Sequence, residues 1–191
     1  MPDSSLILAS ASVRRLDLLL QIGIKPFAVC PADIDETPRK GELPLPYVKR
    51  MALTKAQTVA AIMPEKAVLA ADTVVFCGRR ILPKVEDEAT ARQCLSILSG
   101  RRHRVATAVA LVKKGIVKHT CVMTQVQFRR LTPVEIQDYI VSGEWHGKAG
   151  GYAIQGVASA FIPRINGSYS NVVGLPLCET QLMLEAMTAR Y

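Results

Sequence analysis

Asp72 interrupts an apolar run. Val68-Leu69-Ala70-Ala71-Asp72-Thr73-Val74-Val75 reads as a strand covered on both faces, where a carboxylate has no ordinary place. Burying it unpaired costs several kcal/mol against a net domain stability of roughly 5–15 kcal/mol. A cation, a metal ion, backbone amides or access to a cleft must offset that cost. An aspartate that caps a turn at a strand end meets the same need, so a structural role stands beside the functional one.

Arg14-Arg15 is a second anomaly, because it falls in what should be the first turn of a helix. The positive end of the helix dipole disfavours a cation there by about 0.3–1 kcal/mol, and an anion bound at the terminus reverses the sign. Ser10 and Ser12 add hydroxyls beside the free backbone amides, so Ser10-x-Ser12-x-Arg14-Arg15 would make a phosphate cradle. A serine N-cap followed by two solvated arginines is the plainer reading. Lys55 shares the inward stripe of its helix with Val48, Met51 and Val59; it either snorkels along its stem or faces a phosphate. Lys84 follows Pro83 in a loop, and Glu36 ends the acidic stretch Asp33-Ile34-Asp35-Glu36. Carboxylate oxygens of that kind suit Mg²⁺ or Mn²⁺ when a phosphate shares the ion.

Together these residues sketch hydrolysis of a phosphoanhydride, with carboxylates for an ion and a water and with cations for phosphate oxygens. Such chemistry needs positioning and charge neutralisation more than covalent participation. The sequence contains no Walker A motif, no H-E-x-x-H, no G-x-S-x-G and no paired Cys and His.

The elements that must hold these groups alternate along the chain. Leu6 to Ala9 reads as a short buried strand, followed by a helix carrying Val13, Leu16, Leu19 and Leu20 and ended by Gly23. Phe27 to Cys30 suggests a strand, Asp33 to Pro46 a long polar loop, and Tyr47 onward a helix that Pro64 stops. Val68 to Phe76 is the central strand, which Ile81 could continue as a hairpin, and Glu88 to Leu98 a helix closed by Ser99-Gly100. Arg104 to Val112 and Ile116 to Arg129 flank a hairpin turn at Lys113-Lys114-Gly115. Thr132 should cap a helix opened by Pro133, glycine-rich loops occupy Gly143 to Gly156 and Asn166 to Gly174, and a closing helix runs from Leu177 to Ala189. The expectation is an α/β fold, a mixed β-sheet with flanking helices in two lobes around a ligand-binding cleft, over a single domain of residues 1–191.

Composition narrows the partners. With 49% hydrophobic and 21% charged residues the chain is globular, and a net charge of +8 favours anions, whether nucleic acid, an acidic membrane or a phosphorylated small molecule. Aromatic residues are only 5%, which weakens a reading built on stacking bases. The basic clusters are short and scattered, and solvated faces account for them equally well. Five dispersed cysteines and three dispersed histidines argue against a zinc or disulfide framework and for a reducing compartment. Asp3 precedes a Leu6-Ile7-Leu8 run too short for a signal peptide, and no stretch is long enough to span a bilayer. A cytoplasmic protein without membrane contact is expected.

The ordered series of motifs resembles the Maf proteins. It comprises Leu6-Ile7-Leu8-Ala9-Ser10-Ala11-Ser12-Val13-Arg14-Arg15, Asp35-Glu36, Arg50 to Lys55-Ala56, Ala71-Asp72-Thr73, Leu98-Ser99-Gly100 and Phe128-Arg129. It continues through Gly143-Glu144-Trp145-His146-Gly147-Lys148-Ala149-Gly150, Tyr152, Gln155-Gly156, Ile165 to Tyr169 and Asn171 to Pro176. The resemblance implies a Maf/ITPase-like fold and a pyrophosphatase that cleaves nucleoside triphosphates between the α and β phosphates with a divalent cation. Asp72 matches the family's proton acceptor, while Ser10, Arg15, Glu36, Lys55 and Lys84 match its phosphate- and metal-site residues. A ligand carboxylate and a base carboxylate can be one group, so Asp72 and Glu36 both stand as metal candidates.

Arg14, Thr73 and Gln155 are similar to the branch acting on dTTP and UTP, whereas the branch acting on 7-methyl-GTP typically has Trp, Gln and Glu. Gln155 offers a donor and an acceptor to the O4/N3–H edge of uracil or thymine. Strand alternation aims Asp72 and Thr73 at opposite faces, so the expectation is that the strand ends or twists there. Many Maf proteins have Lys followed by Pro after the central strand, but here Pro83 precedes Lys84 and Val85 follows. The rival readings are the same reaction on 7-methyl-GTP or another purine nucleotide, and a nucleic-acid-binding regulator of septum formation. No recognisable DNA-binding motif supports the latter. Homodimerisation is implied by the resemblance alone.

Overall fold

The computed structural model describes residues 6–188, leaving the Ala189 end of the expected last helix, and both termini of the expected 1–191 domain, outside the described residues. In chain order the elements are β1 (Leu6–Leu8), α1 (Val13–Gln21), β2 (Ala28–Val29), α2 (Pro44–Ile62), β3 (Ala67–Cys77), β4 (Arg80–Leu82), β5 (Lys84–Val85) and α3 (Glu88–Leu98). There follow β6 (Arg102–Lys113), β7 (Ile116–Gln127), α4 (Pro133–Ser142), β8 (Lys148–Ala149), a 3-10 turn (Val157–Phe161), β9 (Arg164–Asn166), α5 (Tyr169–Val173) and α6 (Leu177–Thr188). A seven-stranded sheet runs β2-β1-β3-β6-β7-β9 with β4 also paired to β3, and β5 and β8 form a separate two-stranded sheet. The main sheet is mixed, because β1 is parallel to both neighbours and the remaining pairs are antiparallel. Among the described residues, no helix is long and apolar enough to cross a membrane.

Local chemistry explains most of the boundaries. Pro44 occupies the first turn of α2, so that helix begins three residues before Tyr47 and shortens the polar loop. Thr132 and Glu135 form a reciprocal capping box on α4, and Gly143 ends it in the left-handed conformation. Lys114 and Gly115 both have positive φ (48° and 77°), which is the two-residue turn that matches the twist of the β6–β7 hairpin. The glycine-rich loops also contain β8, the 3-10 turn and α5. Two- to five-residue elements like these lack the periodicity by which longer ones are read.

Each face of the sheet has its own core. One face presents Ile7, Val68, Ala70, Val74, Phe76, Ala106, Ala108, Ala110 and Val112 to Val48, Ala52, Ala56 and Val59 of α2. Its many alanines let the helix lie close to the strands. The other face buries Leu6, Leu8, Leu69, Ala71, Val75, Val109 and Leu111 among side chains of the remaining helices. Asp72 takes the α2 face by alternation and Thr73 the opposite one.

The strand does not end at that pair. β3 is matched residue for residue with β6 from Val68↔Val112 to Phe76↔Arg104, through Asp72↔Ala108 and Thr73↔Thr107. This corrects the expectation of a strand end at that point: both faces of β3 carry core on either side of it, and an uninterrupted ladder serves both. What is missing is a strand along the other edge, although Ala70, Ala71 and Val74 stay buried there. β1 pairs only with Ala67 to Leu69 and β4 only with Val75 to Cys77, so among the described residues no strand borders positions 70–74 on that side.

Asn171 fastens α5 to the sheet. Its Nδ2 donates to Val105 O (3.1 Å) and Thr124 Oγ1 (2.9 Å), and its Oδ1 accepts from Thr107 N (3.2 Å), all in full burial. Replacing it by an apolar residue of similar size strands at least two backbone groups, at about 1–3 kcal/mol each. Asn171→Leu should therefore lower the unfolding free energy in urea by roughly 3 kcal/mol. Wild-type stability in that measurement would show that the network does not clamp α5.

Candidate active site

Ser10 and the first turn of α1 face the open stretch of β3 because β1 stops at Leu8 and the chain turns there. Ser12 occupies the N-cap but makes no side-chain cap bond, and its own N–H is taken by Ser10 Oγ (3.2 Å). Arg15 reaches across. Its Nη1 donates to Ser10 Oγ (3.0 Å), Nη2 to Thr73 Oγ1 (3.1 Å) and Nε to the Gly174 carbonyl (2.9 Å). It is therefore not the solvated arginine of the plainer reading. Burial holds its guanidinium below the usual arginine range, Asp72 opposes that fall and Arg14 adds to it.

The hydrogen-bond chain behind Arg15 has a fixed direction. Thr107 Oγ1 donates to the Asn171 carbonyl (2.9 Å), so in its contact with Thr73 Oγ1 (2.9 Å) it must accept. Thr73 consequently accepts from Arg15 and gives its proton to Thr107. Its hydroxyl is a support for the guanidinium, with no proton left for a ligand.

Asp72, on the other face, is answered by Lys55. Nζ lies 2.6 Å from Asp72 Oδ1 and 2.8 Å from Glu36 Oε1, with both Lys55 and Asp72 buried. The lysine expected either to snorkel or to meet a phosphate is held between two carboxylates. Burial pushes the Asp72 carboxyl above its ordinary value; Lys55 and Arg15 oppose this and Glu36 reinforces it.

Glu36 is exposed but its loop is tied to α2. Tyr47 Oη donates to the Glu36 carbonyl (3.0 Å), while Arg50 grips Glu42 with Nε (2.7 Å) and Thr37 O with Nη2 (3.3 Å). Hydrogen bonds from Arg50 draw the Glu42 pKa down to about 2. Tyr47, Arg50 and Glu42 carry no role in the sequence pattern, because a support contact across a loop leaves no spacing signature.

The remaining expected residues form a looser group. Lys84, exposed, pairs with Glu86 at 3.4 Å. Pro83 directly precedes β5, which is laddered to β8 with Val85 opposite Lys148. Arg14 Nε is buried without a hydrogen-bond partner among the described residues. Gln155 is exposed at a turn pinned by Glu144, whose Oε2 accepts from Val157 N (2.8 Å). A Cβ on Gly156 would overlap that carboxylate, so a larger residue there would force the Glu144 side chain away from Val157 N. The structure adds Lys148, which appeared in a quoted motif without a role.

Glu36 and Asp72 converge on one ammonium and so could converge on one metal ion. Their hard oxygens suit a Mg²⁺-type ion, which usually takes one or two carboxylates with phosphates and waters completing the shell. No group of three or more His, Cys, Asp or Glu suited to a metal occurs among the described residues. The donor set therefore fits an ion that arrives with a phosphorylated ligand better than one held permanently.

Known proteins match most of the chain in sequence. The family model described as Maf-like protein matches residues 5–187. A dTTP/UTP pyrophosphatase of Paramagnetospirillum magneticum is 60% identical over 94% of this chain and 95% of its own. Another from Zymomonas mobilis subsp. mobilis is 62% identical over 95% of this chain and 90% of its own. The structure of the Staphylococcus aureus Ham1 protein superposes with a TM-score of 0.46 at 16% identity, covering 64% of this chain and 71% of that one.

The Lys55–Asp72 pair has a pH signature. Asp72 is raised in the folded state, so its protonated form contributes stability fully below the unfolded value of about 3.9, and that contribution is lost as pH rises through the folded value. Lys55→Met removes the main influence holding the carboxyl down. It should cost roughly 3 kcal/mol near neutrality, the low end for breaking a buried pair because Arg15 stays close. Urea unfolding should show the deficit larger at pH 8 than at pH 5, and Lys55→Met/Asp72→Asn should recover most of it. A deficit independent of pH would refute the coupling.

Proposed function

The chain belongs to the Maf-like family, and on that premise we propose that it hydrolyses dTTP and UTP to the monophosphate and pyrophosphate through Asp72. The observation that carries the assignment is the unbordered stretch 70–74 of β3. There a buried carboxylate on one face and an anchored arginine on the other meet the same opening.

In this reading water attacks the α-phosphorus, the bond from that phosphorus to the α–β bridging oxygen breaks, and pyrophosphate leaves on that oxygen. Asp72 takes the proton of the attacking water. A base works best with a pKa drawn toward the working pH, and burial moves Asp72 in that direction. Ser10 Oγ and the Arg15 guanidinium orient phosphate oxygens, and Lys55 neutralises charge between carboxylates and substrate. Glu36 and Asp72 would hold a divalent ion, Mg²⁺ or Mn²⁺, which supplies charge neutralisation and a more acidic water when bound. Lys84 contributes a further cation toward the phosphates.

The resemblance ties base preference to Arg14, Thr73 and Gln155, of which only Gln155 would meet the base itself. Gln155 is exposed, so its amide can meet the O4/N3–H edge of the pyrimidine. Thr73 acts through Arg15, whose position it fixes. Residues 1–191 would work as one catalytic domain, since Arg15, Asp72 and Gln155 come from widely separated parts of the chain. A cytoplasmic location is supported by the nucleotide substrate and by the five free, dispersed cysteines.

Turnover of UTP and dTTP with a divalent ion should release pyrophosphate rather than orthophosphate, and ¹⁸O from labelled water should appear in the monophosphate. Asp72→Asn should lower kcat by about 10²- to 10⁴-fold with the thermal melt retained. Near-wild-type turnover by that variant would remove Asp72 from the reaction. Gln155→Glu should lower kcat/KM for UTP by about 10-fold or more, and an unchanged value would exclude it from base reading.

A further inference from the structure

Three cations meet on the Thr73 side of β3 with too few carboxylates to answer them. The segment carrying Lys148 is fixed at both ends: Gly147 N donates to Val85 O (2.8 Å) and Gly150 N to Pro83 O (2.9 Å). Gly150, at φ +68°, lies so close to β3 that a Cβ there would sit 2.8 Å from Val75 Cγ1. Val75 is two residues beyond Thr73 and shares its face, so β8 abuts the end of the open stretch. Lys84 runs alongside, with its Cε 3.8 Å from where a Gly147 Cβ would stand.

Lys148 is half-buried, and its Nζ donates to the His146 carbonyl (3.0 Å). Burial, Arg14 and Lys84 all push its pKa down, in that order with Glu144 opposing between the two cations, and Glu144 is itself engaged with Val157 N. The Lys84–Glu86 pair is solvent-exposed, and such pairs hold little energy. The buried Nε of Arg14 lacks an acceptor. An anion of high charge would supply acceptors to these mutually repelling cations and to the unanswered buried donor together.

We propose that Lys148, with Lys84 and Arg14, forms the seat of the pyrophosphate leaving group. The assignment rests on the pyrophosphatase reading, and direction decides which phosphates are meant. In-line displacement puts attacking water and leaving group on opposite sides of the α-phosphorus. Asp72, the base for the water, points to the α2 face, while β8 packs on the opposite face. The cation group therefore meets the β and γ phosphates. Lys148 and Lys84 donate to the oxygens on which charge collects as the bond to the α-phosphorus breaks, and the water's proton goes to Asp72.

The test separates the two halves of the product. Inorganic pyrophosphate and UMP are titrated separately into the protein by calorimetry, without divalent ion so that only the chain's own cations are read. Lys148→Met should weaken pyrophosphate by about 10-fold or more, the loss expected of a charge-assisted hydrogen bond, and leave UMP within about twofold. Lys148→Arg should restore most of the pyrophosphate affinity, and Lys84→Met should repeat the same split. Thermal melts check folding. Equal weakening of UMP and pyrophosphate, an unchanged pyrophosphate affinity in Lys148→Met, or no pyrophosphate binding by the wild type would each overturn the seat. Wild-type pyrophosphate binding with the expected split, but without UTP turnover, would uphold the seat and defeat the reaction instead.

Discussion

A carboxylate in the middle of a strand with core on both faces is the constraint around which this molecule is arranged. Asp72 is tolerable there because Lys55 reaches it from α2 and Arg15 stands across the strand. Each of those cations is itself enclosed and needs holding. Lys55 is held by a second carboxylate, Glu36, whose loop is tied down by Tyr47 and Arg50. Arg15 is held by Ser10, Thr73 and the Gly174 carbonyl. One buried charge thus recruits α1, α2, β3 and the loop at Gly174 into a single electrostatic unit.

That unit is tied together by hydrogen bonds and ion pairs and borders cations that lack counter-charges, a combination suited to binding a phosphorylated ligand. Thr73, Thr107 and Asn171 relay hydrogen bonds from Arg15 into the fully buried interior, so the guanidinium is aimed before any ligand arrives. Preorganised donors cost no rearrangement at the moment charge develops. Arg14 and Lys148 lack comparable neutralisation, and the carboxyl of Asp72 is held away from its ordinary value by burial. A polyanion with a divalent ion would relieve both conditions at once.

The gap in pairing comes from what is missing beside β3 and not from a break in its ladder with β6. β1 is three residues long and β4 begins to pair only at Val75, so one edge of an otherwise regular strand is unbordered for the few residues that matter. A ligand approaching an edge can meet both faces of a strand. In the proposed enzyme, Asp72 and Thr73 therefore serve one site while obeying strict alternation.

Much of this is legible in the residue order. The apolar run around Asp72, the arginines at a helix start and the inward lysine each conflict with local rules, and such conflicts are readable because propensity and burial cost are local quantities. The ordered motifs gave the family, and with it the reaction that names its relatives. Pairing was decided only by the tertiary structure. That Lys55 sits between Asp72 and Glu36, that Thr73 supports Arg15, and that Lys148 joins Lys84 across a two-residue ladder all depend on segments distant in the chain. Spacing carries no record of such contacts, because through-space electrostatics depends on where the chain has folded and not on how far along it a residue lies.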